Sequence, residues 1–461
     1  MTRIVVIGGG PAGYEAALVA AQVGAEVIVV EAEGLGGACV LYDCVPSKTF
    51  IASSDAMTAF ATADRLGIDA GKPEDIRVDA PAVYNRVRSL AQAQSVDVAR
   101  QLAGAAVQVV AGQARLADSG AGRAHRVEVG GEGIEADIVL VATGASPRIL
   151  PGAVPDGERI LNWRQVYDLP ALPEHLVVVG SGVTGAEFAS AYLALGVEVT
   201  LVSSRDRVLP GEDSDAAALI EDVFTRRGMT ILPRSRAAEV RRTGSGVAVE
   251  LTDGRTVEGS HALMAVGSEP NTAGLELETA GVALGPGAYI AVDRVSRTGV
   301  PGIYAAGDVT GVLMLASVAA MQGRIAMWHA LGEAVTPLQL RTVAANVFTA
   351  PEIATVGVGQ ATVDSGQVLA RTVKLPLATN ARAKMQGITD GFVKLFCRPS
   401  SGLVIGGVVV APRASELILP ISLAIQNHLS VDQIAHTISI YPSLSGSLTE
   451  TARQLMQHEF D

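Results

Sequence analysis

The feature that most constrains how this chain folds is a strand–glycine turn–helix–strand unit that occurs twice. The first copy begins at Arg3 and reads RIVVIGGGPAGYEAALVAAQVGAEVIVVE, and the second begins at His175 and reads HLVVVGSGVTGAEFASAYLALGVEVTLV. Continuous apolar strands of this kind are typical of parallel sheets that helices cover on both faces. The duplication therefore predicts an α/β protein with two Rossmann-like domains.

In the first copy, Gly8, Gly10 and Gly13 form the pattern G-x-G-x-x-G between a strand predicted over 3–7 and a helix predicted over 11–23. The first glycine permits the tight turn, the second lets a pyrophosphate approach the backbone, and the third lets helix and strand pack closely. Glu31 ends the next strand, where a carboxylate can accept a hydrogen bond from a ribose hydroxyl. The unit therefore predicts a dinucleotide-binding domain.

The second copy repeats the pattern with Gly180, Gly182 and Gly185. Two such sites predict two nucleotides, one held and one exchanged. Ser203 stands where an acid would favour NAD, and Arg205 and Arg207 follow as possible partners of a 2′-phosphate. This favours NADPH, although a third glycine is more often found with NAD, and the arginines could equally belong to an exposed loop.

Residues 340–461 have a different organisation. Predicted strands in GFVKLFCR and LVIGGVVVAP alternate with amphipathic helices such as those in ASELILPISLAIQNH, without a glycine pattern. A long surface helix is predicted earlier, in PEDIRVDAPAVYNRVRSLAQAQSVDVARQLAGA. The predicted domains are a first nucleotide-binding domain over 1–148, a second over 149–272, a central region over 273–339 and an α+β domain over 340–461.

Composition limits the partners that this chain can have. It has 461 residues, of which 49% are hydrophobic and 18% charged, as in a globular protein of several domains. With a formal net charge of −12 and no basic run, neither nucleic acid nor an anionic membrane is an expected partner. No apolar run reaches the roughly 18 residues of a membrane span. The low cysteine content predicts a cytoplasmic protein rather than a secreted disulfide framework.

Two of the three cysteines, Cys39 and Cys44, stand close together in GGACVLYDCVPSK, whereas Cys397 is remote. The pair is open to four interpretations: a structural disulfide, metal ligands, two unreacted thiols or a redox pair. A zinc site needs four ligands, and the chain has no histidine pair near these cysteines, so we predict no metal site. The VPSK sequence that follows favours the redox pair.

At these residues the chain resembles the FAD-dependent pyridine nucleotide-disulfide oxidoreductases, the family of lipoamide dehydrogenase and glutathione reductase. The resemblance covers nearly the whole chain, and its motifs are IGGGPAG, GLGGACVLYDCVPSK, VLVATGASPR, VVVGSGVTGAEFA, AVGSEPN, GIYAAGDVTG, FTAPEIATVGV and GFVKLFCR. It implies an FAD domain, an NAD(P) domain, a central domain that completes the FAD site and a C-terminal dimerisation domain. The implied assembly is a homodimer that holds FAD and takes NADPH or NADH as co-substrate.

The resemblance also implies roles for single residues. Cys44 is implied as the thiol that faces the flavin, and Cys39 as the outer, exchanging thiol. Lys48 is implied near flavin N5 and paired with Glu187, where a cation would stabilise the reduced flavin. The implied FAD contacts are Gly8, Gly10, Gly13, Glu31, Gly37, Lys48, Gly112, Ala142, Thr143, Gly144, Asp308, Met314, Leu315, Ala316 and Ser317. The implied NAD(P) contacts are Gly180, Gly182, Gly185, Ser203, Arg205 and Gly267.

The sequence departs from the family pattern where disulfide reduction needs a base. Relatives supply a His-Pro pair and a Glu from the partner subunit, but here Tyr441 precedes the proline and Gly446 stands at the Glu position. A phenol, with a pKa of about 10, is a poor base at neutral pH. His436 lies upstream and is interpreted as a surface or interface histidine. Further departures near the implied nicotinamide site are Val183, Ser268 and Ser317.

Hydride transfer from NAD(P)H to the flavin is therefore expected to be intact. Reduction of a disulfide substrate by the two thiols is expected to be impaired. A subgroup of the family, the actinobacterial-type NAD(P)H:quinone reductases, shares this loss, and CVPSKTFIAS, VATGASPRILP, VSRT, LASVAAMQGRIAM and YPSLSGS resemble it. The main prediction is an NAD(P)H:quinone oxidoreductase whose cysteines form a reducible but dispensable disulfide. Two alternatives stay open: a disulfide reductase of the dihydrolipoamide dehydrogenase type with an unusual or absent base, and an FAD-bound redox sensor with little turnover.

Overall fold

A computed structural model describes residues 1–71, 75–117 and 125–456 of the chain. In chain order the strands are β1 (Arg3–Ile7), β2 (Glu26–Glu31), β3 (Gln108–Ala111), β4 (Ala114–Ala117), β5 (His125–Val129), β6 (Glu132–Ala136), β7 (Ile138–Val141), β8 (Ala145–Pro147), β9 (Ile160–Leu161), β10 (His175–Val179), β11 (Glu198–Val202), β12 (Thr230–Leu232), β13 (Ala237–Arg242), β14 (Val247–Leu251), β15 (Thr256–Gly259), β16 (His261–Met264), β17 (Ser268–Pro270), β18 (Ile303–Ala305), β19 (Ala344–Val347), β20 (Glu352–Gly357), β21 (Arg371–Pro376), β22 (Phe392–Cys397) and β23 (Val404–Ala411).

The α-helices are α1 (Pro11–Gln22), α2 (Gly37–Leu41), α3 (Cys44–Ala61), α4 (Ala80–Gly104), α5 (Val183–Ala194), α6 (Ser214–Arg226), α7 (Ala316–Ala330), α8 (Gln360–Asp364), α9 (Ala381–Met385), α10 (Ala414–Leu417), α11 (Leu419–Gln426), α12 (Val431–Ala435) and α13 (Gly446–Leu455). Short 3₁₀ helices occupy Ala63–Leu66, Pro286–Ala288, Asp308–Thr310, Leu340–Thr342 and Leu377–Thr379. Across the ranges given above, each helix is too short or too polar to traverse a lipid bilayer.

The chain divides into two compact units, and each unit is assembled from three separate segments. Unit 1 consists of Met1–Thr49, Tyr84–Arg148 and Gly267–Gln339. Unit 2 consists of Phe50–Val83, Ile149–Val266 and Leu340–Asp461. Neither unit is a continuous stretch of sequence.

Unit 1 is built on a parallel sheet with the order β18-β7-β1-β2-β3. Val5 in the central strand β1 pairs with Ile28 of β2 and with Val139 of β7. The sheet is apolar because both of its faces are covered: α1 and α7 pack on one face, and the antiparallel sheet β4-β5-β6 packs on the other. Gly323 of α7 lies against α1, where a Cβ would collide with the Ala12 carbonyl oxygen. The two helices therefore approach closely.

The second glycine unit forms a matching parallel sheet in unit 2, with the order β12-β11-β10-β16-β9. Val178 in its central strand pairs with Leu201 on one side and Leu263 on the other, and all three are fully buried. A small antiparallel sheet, β13-β14-β15, packs beside it. The predicted pair of Rossmann-like folds is thus confirmed.

The C-terminal part of unit 2 is an antiparallel sheet with the order β19-β20-β23-β22-β21. Helices α10, α11, α12 and α13 pack against it through apolar side chains, which confirms the predicted α+β organisation. The stretch ASELILPISLAIQNH, predicted to be helical, forms α10 and α11 with an interruption between them. Pro420 explains the interruption, because a proline is favourable in the first turn of α11 but not within a continuous helix.

The predicted long helix in PEDIRVDAPAVYNRVRSLAQAQSVDVARQLAGA begins only at Ala80, so Pro81 falls in its first turn. Pro73 and Glu74, the first two residues of that stretch, lie outside the described residues. The helix is not simply a surface element. Tyr84, Val87 and Leu102 are buried, so one of its faces contributes to the core.

Candidate functional site

The first glycine turn has a shape that side chains would prevent. Gly8 has φ 106°, and a Cβ there would collide with the Ala142 carbonyl oxygen. A Cβ at Gly13 would collide with the Gly8 carbonyl oxygen. At Gly10, by contrast, a Cβ would have no neighbour closer than the Gly37 Cα at 3.9 Å. The turn is therefore closed on the protein side and open where a pyrophosphate would approach.

Glu31 holds the loop that follows β2. Its Oε2 accepts a hydrogen bond from the Gly9 N–H at 2.5 Å, and its Oε1 accepts from the N–H groups of Glu33 and Gly34 at 2.7 and 3.1 Å. Each carboxylate oxygen has lone pairs beyond these bonds. The carboxylate is thus fixed beside the glycine turn, where it can accept from a ribose hydroxyl as the sequence predicts.

Asn271 closes the segment that contains the predicted contacts Thr143 and Gly144. Its side-chain amide donates to the Thr143 carbonyl at 2.8 Å and accepts from Ser146 Oγ at 2.8 Å. Thr143 Oγ1 donates to the Asn271 carbonyl at 2.7 Å. Sequence reasoning did not assign a role to Asn271, although it stands at the end of the AVGSEPN motif. Its partners could not be identified without the fold.

Asp308 begins the 3₁₀ helix that follows β18. The preceding Gly307 is held by its N–H, which donates to Gln322 Oε1 at 2.9 Å. Among the residues that the structure describes, none forms a hydrogen bond or ion pair with the Asp308 carboxylate. Burial, and secondarily the nearby Asp43, raise its pKa to about 6. A half-buried carboxylate without a donor fits the predicted contact with a ribityl hydroxyl, and the residues of unit 1 therefore fit FAD.

The two cysteines lie on consecutive helices, with Cys39 in α2 and Cys44 at the start of α3. In this structure they are two half-buried thiols. Their mutual hydrogen bond is the main cause that raises the pKa of Cys44, followed by burial and by Asp43, whereas Lys48 opposes the shift. Cys44 is therefore held in its protonated, poorly nucleophilic form.

Further predicted FAD residues lie at four places in unit 1. Gly37 opens α2 with φ 58°, and Gly112 follows β3 and donates its N–H to the Glu31 carbonyl at 2.9 Å. Lys48 lies in the first turns of α3. Met314 and Leu315 directly precede α7, and Ala316 and Ser317 are its first two residues.

The second glycine turn repeats the geometry of the first. Gly180 has φ 115°, and a Cβ at Gly185 would collide with the Gly180 carbonyl oxygen. A Cβ at Gly182 would meet no atom within 4 Å, so this turn too is open to a pyrophosphate. Val183, the first residue of α5, is 43% exposed beside it. The predicted contact Gly267 lies in unit 1 with φ 100°.

Ser203 is fully buried, and its hydroxyl is occupied inside the protein. Its Oγ lies 2.7 Å from Ser181 Oγ and accepts from the Arg205 N–H at 3.1 Å. The carbonyl oxygens of Arg205 and Arg207 lie 3.1 and 3.2 Å away as acceptors. These bonds give Ser203 a role in shaping the loop after β11.

Glu187 of α5 is 4% exposed and is bound to a distant segment of unit 2. Its Oε1 accepts from the Phe348 N–H at 2.9 Å, and Ser190 Oγ, one turn later, accepts from the Ala350 N–H at 3.2 Å. The turn between β19 and β20 therefore fixes this carboxylate. Sequence reasoning named Glu187 but could not detect its backbone partner.

The residues at the missing dyad positions lie near the C-terminal helices. Tyr441 is 85% exposed, Gly446 is the first residue of α13, and His436 is exposed directly after α12. Tyr441 and Gly446 stand at the positions of the family's dyad and supply neither an imidazole nor a carboxylate there. His436 is an imidazole, but it lies at neither of those positions. Over the described ranges, no group of three or more His, Cys, Asp or Glu side chains could hold a metal ion.

Two domain models of one protein family together match most of the chain. The pyridine nucleotide-disulphide oxidoreductase model matches residues 2–323, and the dimerisation domain of the same family matches residues 343–452. A Mycobacterium tuberculosis (strain H37Rv) protein named NAD(P)H dehydrogenase (quinone) is 62% identical over 468 aligned positions, which cover 100% of this chain and 95% of that protein. The dihydrolipoyl dehydrogenase of Chlamydia pneumoniae is 32% identical, with 98% and 97% covered.

Solved structures also match this chain over nearly its whole length. LpdA from Mycobacterium tuberculosis matches with a TM-score of 0.95 and 61% identity over 99% of this chain and 100% of that one. The HOCl-induced flavoprotein disulfide reductase RclA from Escherichia coli matches with a TM-score of 0.87 and 25% identity over 98% and 99%.

Proposed function

This chain belongs to the pyridine nucleotide-disulphide oxidoreductase family, and on that basis we propose that it is an FAD-dependent NAD(P)H dehydrogenase that reduces a quinone-like acceptor. The observation that carries the proposal is the 62% identity, over the full chain, to a protein named NAD(P)H dehydrogenase (quinone). The missing imidazole supports it from the sequence itself, because Tyr441 occupies the histidine position.

The residues of unit 1 provide the binding groups for FAD. When bound, FAD supplies the two-electron carrier between the nicotinamide and the acceptor. We propose that the N-terminus of α1 and its glycine turn bind the pyrophosphate, that Glu31 accepts from the adenosine ribose, and that Asp308 accepts from the ribityl chain. Lys48 is proposed as the cation that stabilises negative charge on the reduced ring.

The thiol pair is proposed to lie outside the main electron path. Cys44 is kept protonated by its hydrogen bond to Cys39, by burial and by Asp43, which lies next to it in the chain. A thiol is a far weaker nucleophile than a thiolate. Together with the absent base, this favours transfer of electrons from the reduced flavin to a diffusible acceptor over dithiol–disulfide exchange.

The remaining assignments are proposed with the same function. The domain limits are 1–148, 149–272, 273–339 and 340–461, and the dimerisation domain at the C-terminus assembles two copies of this chain. A chain with three cysteines and no disulfide framework suits the reducing cytoplasm.

The test is steady-state oxidation of NADPH and NADH by the purified holoenzyme with a benzoquinone or naphthoquinone as acceptor. We expect turnover with at least one nicotinamide, and we expect Cys44→Ser to keep at least half of the rate. Abolition of quinone reduction in Cys44→Ser would contradict the proposed electron path.

One observation favours a second candidate function. Cys39 and Cys44 are both present and their sulfurs are within hydrogen-bonding distance, so a dithiol–disulfide step is geometrically open. A disulfide reductase would turn over lipoamide or a similar disulfide steadily and would lose that activity in Cys39→Ser. Quinone reduction without lipoamide reduction would reject this candidate.

A further inference from the structure

Asp43 stands directly before the inner cysteine, and its backbone is bonded to the helices on both sides of it. Its N–H donates to the Ala38 carbonyl of α2 at 2.8 Å, and its own carbonyl accepts from the Ser47 N–H of α3 at 2.7 Å. The Tyr42 N–H donates to the same Ala38 carbonyl at 2.9 Å. The turn between the two cysteines is therefore closed by hydrogen bonds, and the backbone of Asp43 has a fixed position within it.

This position keeps a carboxylate close to the Cys44 sulfur. Neighbouring Cα atoms are about 3.8 Å apart across a trans peptide bond, so the Asp43 carboxylate stays within about 10 Å of that sulfur in every rotamer. Asp43 and Cys44 are both half-buried, so water screens the charge less than it would at an exposed site. The charge contributes to the raised pKa of Cys44, after the hydrogen bond to Cys39 and burial.

The influence of Asp43 extends beyond its neighbour in the chain. Its charge also contributes to the raised pKa of Asp308, which begins the 3₁₀ helix after β18. The opposing charge at the thiol is the ammonium group of Lys48, one turn into α3. Lys48 lowers the pKa of Cys44, but by less than Asp43 raises it. The cation therefore does not compensate the carboxylate at this sulfur.

The charge state of Cys44 decides where a pair of electrons can rest. Two electrons break the sulfur–sulfur bond of an oxidised Cys39–Cys44 pair and leave two thiolates. One proton arrives with these electrons from a reduced flavin, so one thiol and one thiolate remain unless a second proton is taken up from solvent. Repulsion by Asp43 disfavours a thiolate at Cys44. The electron pair is then more stable on the cofactor, from which a quinone can take it.

We propose that Asp43 is a specificity-determining residue that prevents Cys44 from acting as a thiolate and so directs electrons to a diffusible acceptor rather than to a disulfide. This rests on the proposed function, because it assumes that unit 1 holds the flavin and that an acceptor takes electrons from it. It deepens that function by naming the residue that separates the two candidate activities.

The first test reads the thiolate without turnover. A thiolate against an oxidised flavin gives a long-wavelength charge-transfer absorbance, whereas a thiol does not. The holoenzyme is reduced anaerobically with two electrons per flavin, and its absorbance is recorded across a range of pH. At any given pH, Asp43→Asn should raise the ratio of thiolate to thiol at Cys44 by about tenfold, because it removes one like charge at this range.

Two further variants separate charge from structure. Asp43→Glu keeps the charge and should stay within about twofold of the wild-type ratio. Asp97→Asn is the matched control, because Asp97 is an exposed carboxylate of the same unit that pairs with Arg100 at 2.9 Å. It should leave the absorbance unchanged. An Asp43→Glu protein that behaves like Asp43→Asn would attribute the effect to a distorted turn and overturn the proposal.

A second readout compares acceptors. Asp43→Asn should raise the rate of reduction of 5,5′-dithiobis(2-nitrobenzoate), a disulfide with a stable leaving thiolate, relative to that of a naphthoquinone by about tenfold. An unchanged ratio of these rates, together with an unchanged absorbance, would show that the carboxylate does not control the thiol. A holoenzyme that reduces no quinone, but gains the charge-transfer band in Asp43→Asn, would contradict only the proposed acceptor.

Discussion

Asp43 and Asp308 show how one carboxylate changes the chemistry of its neighbours. Asp43 immediately precedes the inner cysteine, and its negative charge contributes to the raised pKa values of both Cys44 and Asp308. In each case the neutral, protonated form is favoured. The region that we propose for the flavin therefore holds groups that stay protonated to a higher pH than isolated side chains of the same kind.

The raised pKa of Asp308 makes FAD affinity depend on pH. Burial, with a smaller contribution from Asp43, raises this pKa from 3.8 to about 6, so the flavin-free protein loses stability as the pH rises from about 4 to about 6. A hydrogen bond donated by a ribityl hydroxyl to the ionised carboxylate would offset that cost. FAD should prefer the ionised form, and its affinity should fall by up to about tenfold per pH unit as the pH drops below 6. FAD titration of the apoprotein between pH 5 and 7.5 measures this.

The matched variant is Asp308→Asn, which keeps the size and the acceptor oxygen but does not titrate. Its FAD affinity should be weaker at pH 7.5 and nearly independent of pH over the same interval. A wild-type affinity that is flat across the interval would show that Asp308 does not contact the cofactor.

At the scale of elements, α5 connects two parts of unit 2 through Glu187 and Ser190. Both side chains point to the turn between β19 and β20, and both accept hydrogen bonds from its backbone. Glu187 thus has a structural contact in addition to its proposed catalytic position. The two roles can be separated, because an amide oxygen can also accept the Phe348 N–H.

Glu187→Gln should therefore keep thermal stability close to wild type while slowing reduction of the bound flavin by NAD(P)H. Glu187→Ala should do both: slow flavin reduction and lower stability by about 1–3 kcal/mol, the cost of a buried N–H without an acceptor. Stopped-flow absorbance at the flavin band and thermal unfolding of the same samples distinguish the effects. Equal flavin-reduction rates in Glu187→Gln and wild type would remove Glu187 from the hydride step.

A buried lysine connects β22 to the start of α6. Lys394 has 3% of its side chain exposed and donates to Asp213 and Asp215, each at 2.9 Å. Asp213 is 2% exposed and also caps α6 by accepting from the Asp215 and Ala216 N–H groups at 3.0 and 3.3 Å. Its charge depends on the ammonium group for compensation.

Lys394→Met should destabilise unit 2 by about 3–5 kcal/mol, because it leaves the Asp213 carboxylate buried without a cation. Lys374→Met is the control, since Lys374 is 44% exposed and pairs with Asp215 at 2.8 Å, so its loss should cost no more than about 1 kcal/mol. Urea unfolding followed by circular dichroism measures both. Adding Asp213→Asn to Lys394→Met should recover much of the loss, and a further loss would contradict this explanation.

On the scale of the whole molecule, an apolar segment precedes the last helix. Ile438 is 98% exposed, Ile440 81% and Tyr441 85%. Exposed apolar residues in a contiguous segment are typical of interaction surfaces, and this segment lies within the match to the dimerisation domain. It is therefore expected to be covered in the homodimer.

Ile440→Asp should weaken the dimer, because it would bury a carboxylate in an apolar contact. Sedimentation velocity over a range of concentrations should show a dimer for wild type and a larger monomer fraction for the variant. Leu369→Asp, at a residue that is 77% exposed in the same part of the chain but outside this segment, is the control and should remain dimeric. Unchanged dimerisation of Ile440→Asp would place the interface elsewhere.

Much of this organisation was predictable because it depends on local patterns. The strand predicted over 3–7 is β1, since an apolar run before a glycine turn determines both of its ends. The contacts of Asn271, Glu187 and Arg234 were not predictable. Glu187 and Phe348 are 161 residues apart, and Arg234 meets Arg205 only because β11 and β12 are neighbours in the sheet. Such contacts follow from tertiary structure, which periodicity does not encode.

The alternation of the chain between the two units has a consequence for biosynthesis. Strand β18 pairs with β7 at the edge of the first sheet, so a ribosome must translate past Ala305 before that sheet is complete. At about 5–20 residues per second, the sheet that begins with β1 waits on the order of tens of seconds for its last strand to emerge. During that interval the nascent polypeptide exposes unfinished apolar surface, and we expect it to engage chaperones such as a ribosome-bound holdase.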